Sequence, residues 1–203
     1  MSVSMELVKQ LRDKTNASIM SCKRAIEDAQ GDINKAMELL RTWGMAIANK
    51  KASRVATEGV VFSYIHPGNR IGVLVEVNSE TDFVARNKEF NDFVKEISMQ
   101  IAATNPRYIL REEIPPEVIE NEKKIYAAQI DGTNKNEKIL QKIIEGKLEK
   151  FYSEVCLIEQ PYIRDESVKI KELLDIIIAK FGENIVIRRF VRFQLGEELA
   201  KKF

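Results

Sequence analysis

Residues 71–87 read IGVLVEVNSETDFVARN, and the period of the apolar side chains changes partway along this stretch. Ile71, Val73, Val75 and Val77 alternate as on a strand buried on one face. Phe90, Phe93, Val94, Ile97 and Ile101 then repeat as on a helix. The junction SETDFVARN, residues 79–87, turns the strand into a long amphipathic helix that begins near Thr81. Ser79 followed by Asp82 fits a capping box. Glu76, Glu80 and Asp82 are close enough to be weighed as paired carboxylates, but alternation separates them, and a helix N-terminus is where acids belong. Phe83 reads two ways. At heptad spacing from Phe90 and Ile97 it is a first-turn core aromatic, and at a helix start it is an exposed wedge with Asp82 beside it as an acceptor. Periodicity leaves both open.

Upstream, Val60 to Ile65 and Ile71 to Asn78 flank His66, Pro67, Gly68, Asn69 and Arg70, which predicts a hairpin with a longer loop. His66 is the chain's one histidine. Beside a Pro-Gly turn it reads as an exposed surface residue, and metal or acid-base roles are disfavoured without a second histidine. Further upstream, three short helices are predicted. Ser4 caps Met5, Val8 and Leu11, with Leu7 widening the stripe, and Thr15 and Asn16 end that helix. Ser18 caps Ile19, Cys22, Ile26 and Ala29, and Gly31 closes it. Asp32 caps Ile33, Ala36, Met37, Leu40 and Trp43. Met20 and Lys23 fall on the side of the second helix opposite its apolar stripe. They are either part of a solvated face or a protein-contact patch. The small, basic stretch after Trp43 reads as a partly helical linker. Its Lys50, Lys51 and Arg54 are read as a solvated tether in preference to a phosphate contact.

Downstream, Asn105 and Pro106 break the chain. Pro115 and Pro116 suit the start of a helix through Val118, Ile119, Ile125, Tyr126 and Ile130, which reaches turn residues at 131–134. Another helix carries Ile139, Leu140, Ile143, Ile144, Leu148 and Phe151. Ser167 is expected to cap a last helix with Leu173, Leu174, Ile177 and Ile178 in the core, stopped by Gly182. A final strand places Ile185, Ile187, Val191 and Phe193 on one face, with Arg189 marking a bulge or an edge. The fold class is α+β. Residues 1–45 form a three-helix docking bundle, 46–56 a basic linker, and 57–203 an α/β core with a small antiparallel sheet packed by helices.

Lys plus Arg total 32 against 31 Asp plus Glu in 203 residues, so no global field favours a nucleic-acid backbone, and no direct nucleic-acid partner is expected. Cys22 and Cys156 lack the spacing of a zinc site or disulfide framework. No stretch reaches the roughly 18 apolar residues of a membrane span. A soluble cytoplasmic protein with no cofactor and no metal site is expected. No Gly-rich phosphate loop or GxSxG turn is present, neither thiol has an activating neighbour, and a hydrolase built on His66 lacks a nucleophile. The chain is not expected to be an enzyme.

IMSCKRAI at 19–26, IGVLVEVNSETDFVARN at 71–87, KLEKFYSEVCLIEQPY at 147–162 and the RF-QLGE ending resemble, in order, the signature segments of bacterial translation elongation factor Ts. Ser79 stands where that family commonly has Cys. The resemblance implies a nucleotide exchange factor that binds elongation factor Tu and speeds GDP release by disturbing the magnesium and phosphate site. It implies a ubiquitin-associated-like N-terminal bundle that docks on Tu through Met20 and Lys23. Asp82 and Phe83, flanked by Thr81 and Val84, become the wedge, which turns the reading of Phe83 away from the core. His66, Phe181 and Gly182 are carried over as further Tu contacts. Longer relatives hold two related subdomains where this chain has one. The resemblance to short members therefore implies a homodimer in which His66 of one subunit complements Asp82 and Phe83 of the other. The rival reading is a non-catalytic adaptor whose bundle binds another partner.

Overall fold

Helix starts written into the sequence organise the N-terminal bundle of the computed structural model, which describes residues 4–15, 17–130 and 137–198. Asn16 and the turn expected at 131–134 lie outside the described residues. Helix α1 (Met5–Thr15) buries Val8 and Leu11, but Met5, expected on the same stripe, is exposed at the helix's first residue. Helix α2 (Ile19–Asp28) begins at Ser18, whose hydroxyl accepts the Ser21 N–H at 3.1 Å. Cys22, Ala25 and Ile26 are buried, whereas Ile19 is largely exposed, so the apolar stripe starts one turn later than its spacing predicts. Gly31 closes α2 at φ +89°, donating its N–H to the Ile26 carbonyl at 2.9 Å. Asp32 then caps helix α3 (Ile33–Lys51) by accepting the Asn34 and Lys35 N–H groups. These helices share a core of Val8, Leu11, Cys22, Ile26, Ala36 and Leu40, with Trp43 packed against it. The stretch after Trp43 is helix as far as Lys51.

Strands β1 (Glu58–Ile65) and β2 (Ile71–Ser79) form the expected antiparallel hairpin, and β5 (Val186–Gln194) pairs with the other edge of β2. One face of β2, carrying Val73, Val75 and Val77, is buried. The β2–β5 register slips between Glu76 and Val77, which leaves Arg188 as the extra residue beside the pair Glu76–Arg189. That bulge overturns the single apolar face expected for the last strand. Ile187 pairs with Val77 on the buried side, while Val191 and Phe193, paired with Leu74 and Gly72, stand exposed on the other.

Helix α5 (Lys88–Thr104) buries Phe90, Phe93, Val94, Ile97 and Ile101 as its period predicts. By contacts the chain divides into two units, 1–99 with 171–203, and 100–170. Within the second, helices α6 (Pro116–Ile130) and α7 (Glu137–Val155) pack together, and Phe151, Val155 and Cys156 form a cluster with Ile114. Arg111 holds Glu149 through two bonds of 2.8 Å and Glu159 through one of 2.7 Å. A short ribbon pairs β3 (Pro161–Tyr162) with β4 (Asp165–Lys169). Ser167 lies inside β4 and donates to Asp165 from both its N–H and hydroxyl, so it does not cap helix α8 (Ile170–Phe181). Within that helix Ile177 and Ile178 are buried and Leu173 and Leu174 half-buried.

No described helix is long and apolar enough to cross a membrane, and no group of His, Cys, Asp or Glu among the described residues could hold a metal ion. Cys22 and Cys156 are free and buried, and burial raises both thiols, Cys156 to about 11.

Candidate functional site

The junction after β2 is a short helix rather than the start of a long one. Helix α4 (Asp82–Ala85) is capped by Thr81, whose extended backbone turns the chain and whose hydroxyl oxygen accepts the Val84 N–H at 3.5 Å. Ser79, expected to be the cap, is fully buried and donates its hydroxyl to the Thr81 carbonyl at 2.9 Å. Asn87 ends α4 and starts α5: its side-chain oxygen accepts the Glu89 N–H at 2.8 Å, and its carbonyl accepts the Asn91 N–H. The break rotates α4 out of the α5 stripe. Val84 and Ala85 are buried, while Phe83 is 84% exposed, so the first-turn core reading of Phe83 is corrected.

A large aromatic ring in water forgoes about 1.5–3 kcal/mol of burial. The turn that carries it is nevertheless tightly tied. Glu183 accepts the Glu80 N–H at 3.1 Å and the Thr81 N–H at 3.0 Å through one oxygen, and the Thr81 hydroxyl at 2.7 Å through the other. Glu80 returns the contact by accepting the Asn184 N–H at 2.6 Å, with Arg54 at 3.4 Å. Those two donors, the Asn184 N–H foremost, hold the Glu80 carboxyl below its ordinary range. Asp82 faces outward and pairs with Arg86 at 3.1 Å.

The other residues named from the sequence separate into three places. Phe181 and Gly182 precede Glu183 directly and so adjoin the Thr81–Val84 turn. Gly182 adopts φ +67° and donates to the Ile178 carbonyl at 2.8 Å, ending α8 as expected. Met20 is 73% exposed and Lys23 is exposed, both on the outer side of α2. His66 is exposed in the hairpin loop, with its Nδ1 3.0 Å from the Tyr64 hydroxyl. Because Ser79 pairs with Glu58 and Gly72 with Ile65, His66 sits at the end of the hairpin opposite the Thr81 turn, roughly 25 Å away at strand rise. One chain therefore does not bring His66 to Phe83.

Beyond this turn, the sequence as a whole matches a known family over nearly its full length. The family model described as Elongation factor TS covers residues 2–197. The chain belongs to the elongation factor Ts family. It is 56% identical to Elongation factor Ts of Carboxydothermus hydrogenoformans over 98% of this chain and 92% of that one. It is 57% identical to Elongation factor Ts of Thermodesulfovibrio yellowstonii over 97% and 98% of the two chains. The protein of the same name from Caldanaerobacter subterraneus subsp. tengcongensis is 57% identical over 98% and 100%. Glu183 and Asn184, which tie the Glu80–Thr81 end of the turn, are not among the residues the sequence singles out. The sequence signal was an acid and an amide directly after a helix-stopping glycine, but their partners lie about a hundred positions away.

Proposed function

We propose that the protein is a guanine nucleotide exchange factor for elongation factor Tu, working in the cytoplasm without covalent chemistry of its own. The observation that carries this reading is Phe83, 84% exposed on a short helix held by Thr81 and Glu183, in a chain of the Ts family. Met20 and Lys23 supply the docking face. Asp82 and Phe83 enter Tu and disturb its magnesium and phosphate site. Mg²⁺ demands near-octahedral coordination, so a small displacement of its surroundings weakens nucleotide binding. Only binding energy that differs between nucleotide-bound and empty Tu ejects GDP, and nucleotide weakens Ts binding by the same factor.

Release of fluorescent GDP from Tu, followed by stopped flow, tests this. The protein is expected to speed release, and Phe83→Ala to remove most of that effect at unchanged fold. Unaltered release with Phe83→Ala counts against the wedge. Binding of another partner by the bundle, with Tu kinetics untouched, favours the adaptor.

The homodimer belongs to the same proposal. The outer face of the sheet exposes Val61, Ile65, Leu74, Val191 and Phe193 side by side, an apolar face of the kind that marks association. A second copy there also accounts for His66 lying far from Phe83 in its own chain. A monomer by light scattering with full exchange activity overturns it.

A further inference from the structure

Helix α4 spans four residues, far too few for a helix to hold its own direction, so tertiary contacts aim Phe83. Val84 and Ala85 anchor one side of it, and the Asn91 side chain ties the Ala85 carbonyl at 2.9 Å. At its start the turn is tied by the buried Ser79 hydroxyl, which donates to the Thr81 carbonyl at 2.9 Å, and by the Glu183 carboxylate, which takes the Glu80 N–H, the Thr81 N–H and the Thr81 hydroxyl together. Donating its proton to Glu183 leaves the Thr81 oxygen free to accept from Val84, so the clamp also orients the cap. Asn184 extends the same frame, donating its side-chain amide to the Arg54 carbonyl at 2.7 Å, just past the end of α3.

We propose that Glu183 is a positioning residue for exchange: its carboxylate fixes the Thr81 turn, and with it the angle at which Phe83 meets the partner. The inference rests on the exchange reading above and adds a residue to it. A merely stabilising Glu183 would lower the melting temperature and leave the rate below melting unchanged. A positioning Glu183 changes the rate through Phe83.

The test is stopped-flow release of fluorescent GDP from Tu at saturating full-length protein, for Glu183→Ala, Glu183→Gln and Glu183→Asp, with Glu183→Ala repeated in a Phe83→Ala background. Loss of the charge-assisted bonds is expected to slow saturating release about tenfold in Glu183→Ala, with a smaller change in the half-saturating concentration. Glu183→Gln, whose amide oxygen still accepts both backbone N–H groups, is expected to recover most of the rate. Glu183→Asp keeps the charge but withdraws it by one methylene and is expected to be slow. In the Phe83→Ala background, Glu183→Ala is expected to add no further loss. A wild-type rate in Glu183→Ala, an equal loss with and without Phe83, or no recovery by Glu183→Gln overturns the inference. Should Glu183→Ala not fold, a wild-type rate in Glu183→Asp overturns it alone. A native chain that leaves GDP release unchanged overturns the exchange reading itself, and this inference with it.

Discussion

Phe83 and Phe90 stand one heptad apart in sequence and have opposite fates: the first is 84% exposed, the second fully buried. The same residue type at the same nominal phase is a surface feature on α4 and a core residue on α5. What separates them is Asn87, whose side chain and carbonyl begin a new helix and cancel the phase relation. Apolar spacing therefore specifies a face only as far as the helix is continuous. A polar residue at a break can turn an aromatic outward without changing the pattern around it.

The sharpest measurement of this contrast is the paired truncation. Phe90→Ala removes a fully buried ring and is expected to cost about 3–5 kcal/mol in urea unfolding, a large share of a typical domain's stability. Phe83→Ala is expected to stay within about 0.5 kcal/mol, as surface substitutions do. A loss at Phe83 comparable to that at Phe90 would mean that the ring is packed in solution.

A smaller effect is expected from the break itself. Asn87→Ala removes the acceptor for the Glu89 N–H, and losing an N-cap costs about 1 kcal/mol. It also makes a continuous helix through residues 82–104 easier to form, which would return Phe83 toward the stripe of Phe90. Slower stimulated GDP release at near-native stability is the expected outcome, and wild-type release would show that the break does not aim the ring.

These cases show why some features were legible and others were not. Ser18 and Asp32 act within three residues of themselves, and the β1–β2 hairpin closes over its own loop, so both were readable locally. Alternation predicts one face for the last strand, but the bulge at Arg188 interrupts it, and Val191 and Phe193 fall on the exposed face. Ser167 had the chemistry of a cap, but Asp165 takes its hydroxyl and N–H inside β4. At the candidate site, TDFV was visible as a segment, whereas its clamp joins residues 80–81 to 183–184, and no periodicity reports a contact over such a separation. Exposure of Phe83 was beyond spacing for the same reason that Asn87 matters: a cap competes with helix continuation through local hydrogen bonds, and both outcomes leave the apolar pattern unchanged.

The last and smallest expected difference between the two regions is in their response to acid. The α5 core presents Phe90, Val94, Ile97 and Ile101, none of which titrates, whereas the turn depends on carboxylates. The Asn184 N–H and Arg54 hold Glu80 below its ordinary value of 4.5. A depressed carboxyl stabilises the folded state fully above the unfolded value, and that contribution disappears as pH falls through the lower folded value. Hydrogen-exchange protection of the Asn184 amide, corrected for intrinsic exchange, is therefore expected to fall on acidification below that ordinary value while the amides of Val94 and Ile97 keep theirs. Glu80→Gln should flatten the acid response at Asn184, since its amide oxygen accepts the bond at every pH. Equal acid responses at Asn184 in the native chain and in Glu80→Gln would show that the carboxylate does not hold this part of the frame, and the turn would then rest on Glu183, the Ser79 hydroxyl and the burial of Val84 and Ala85.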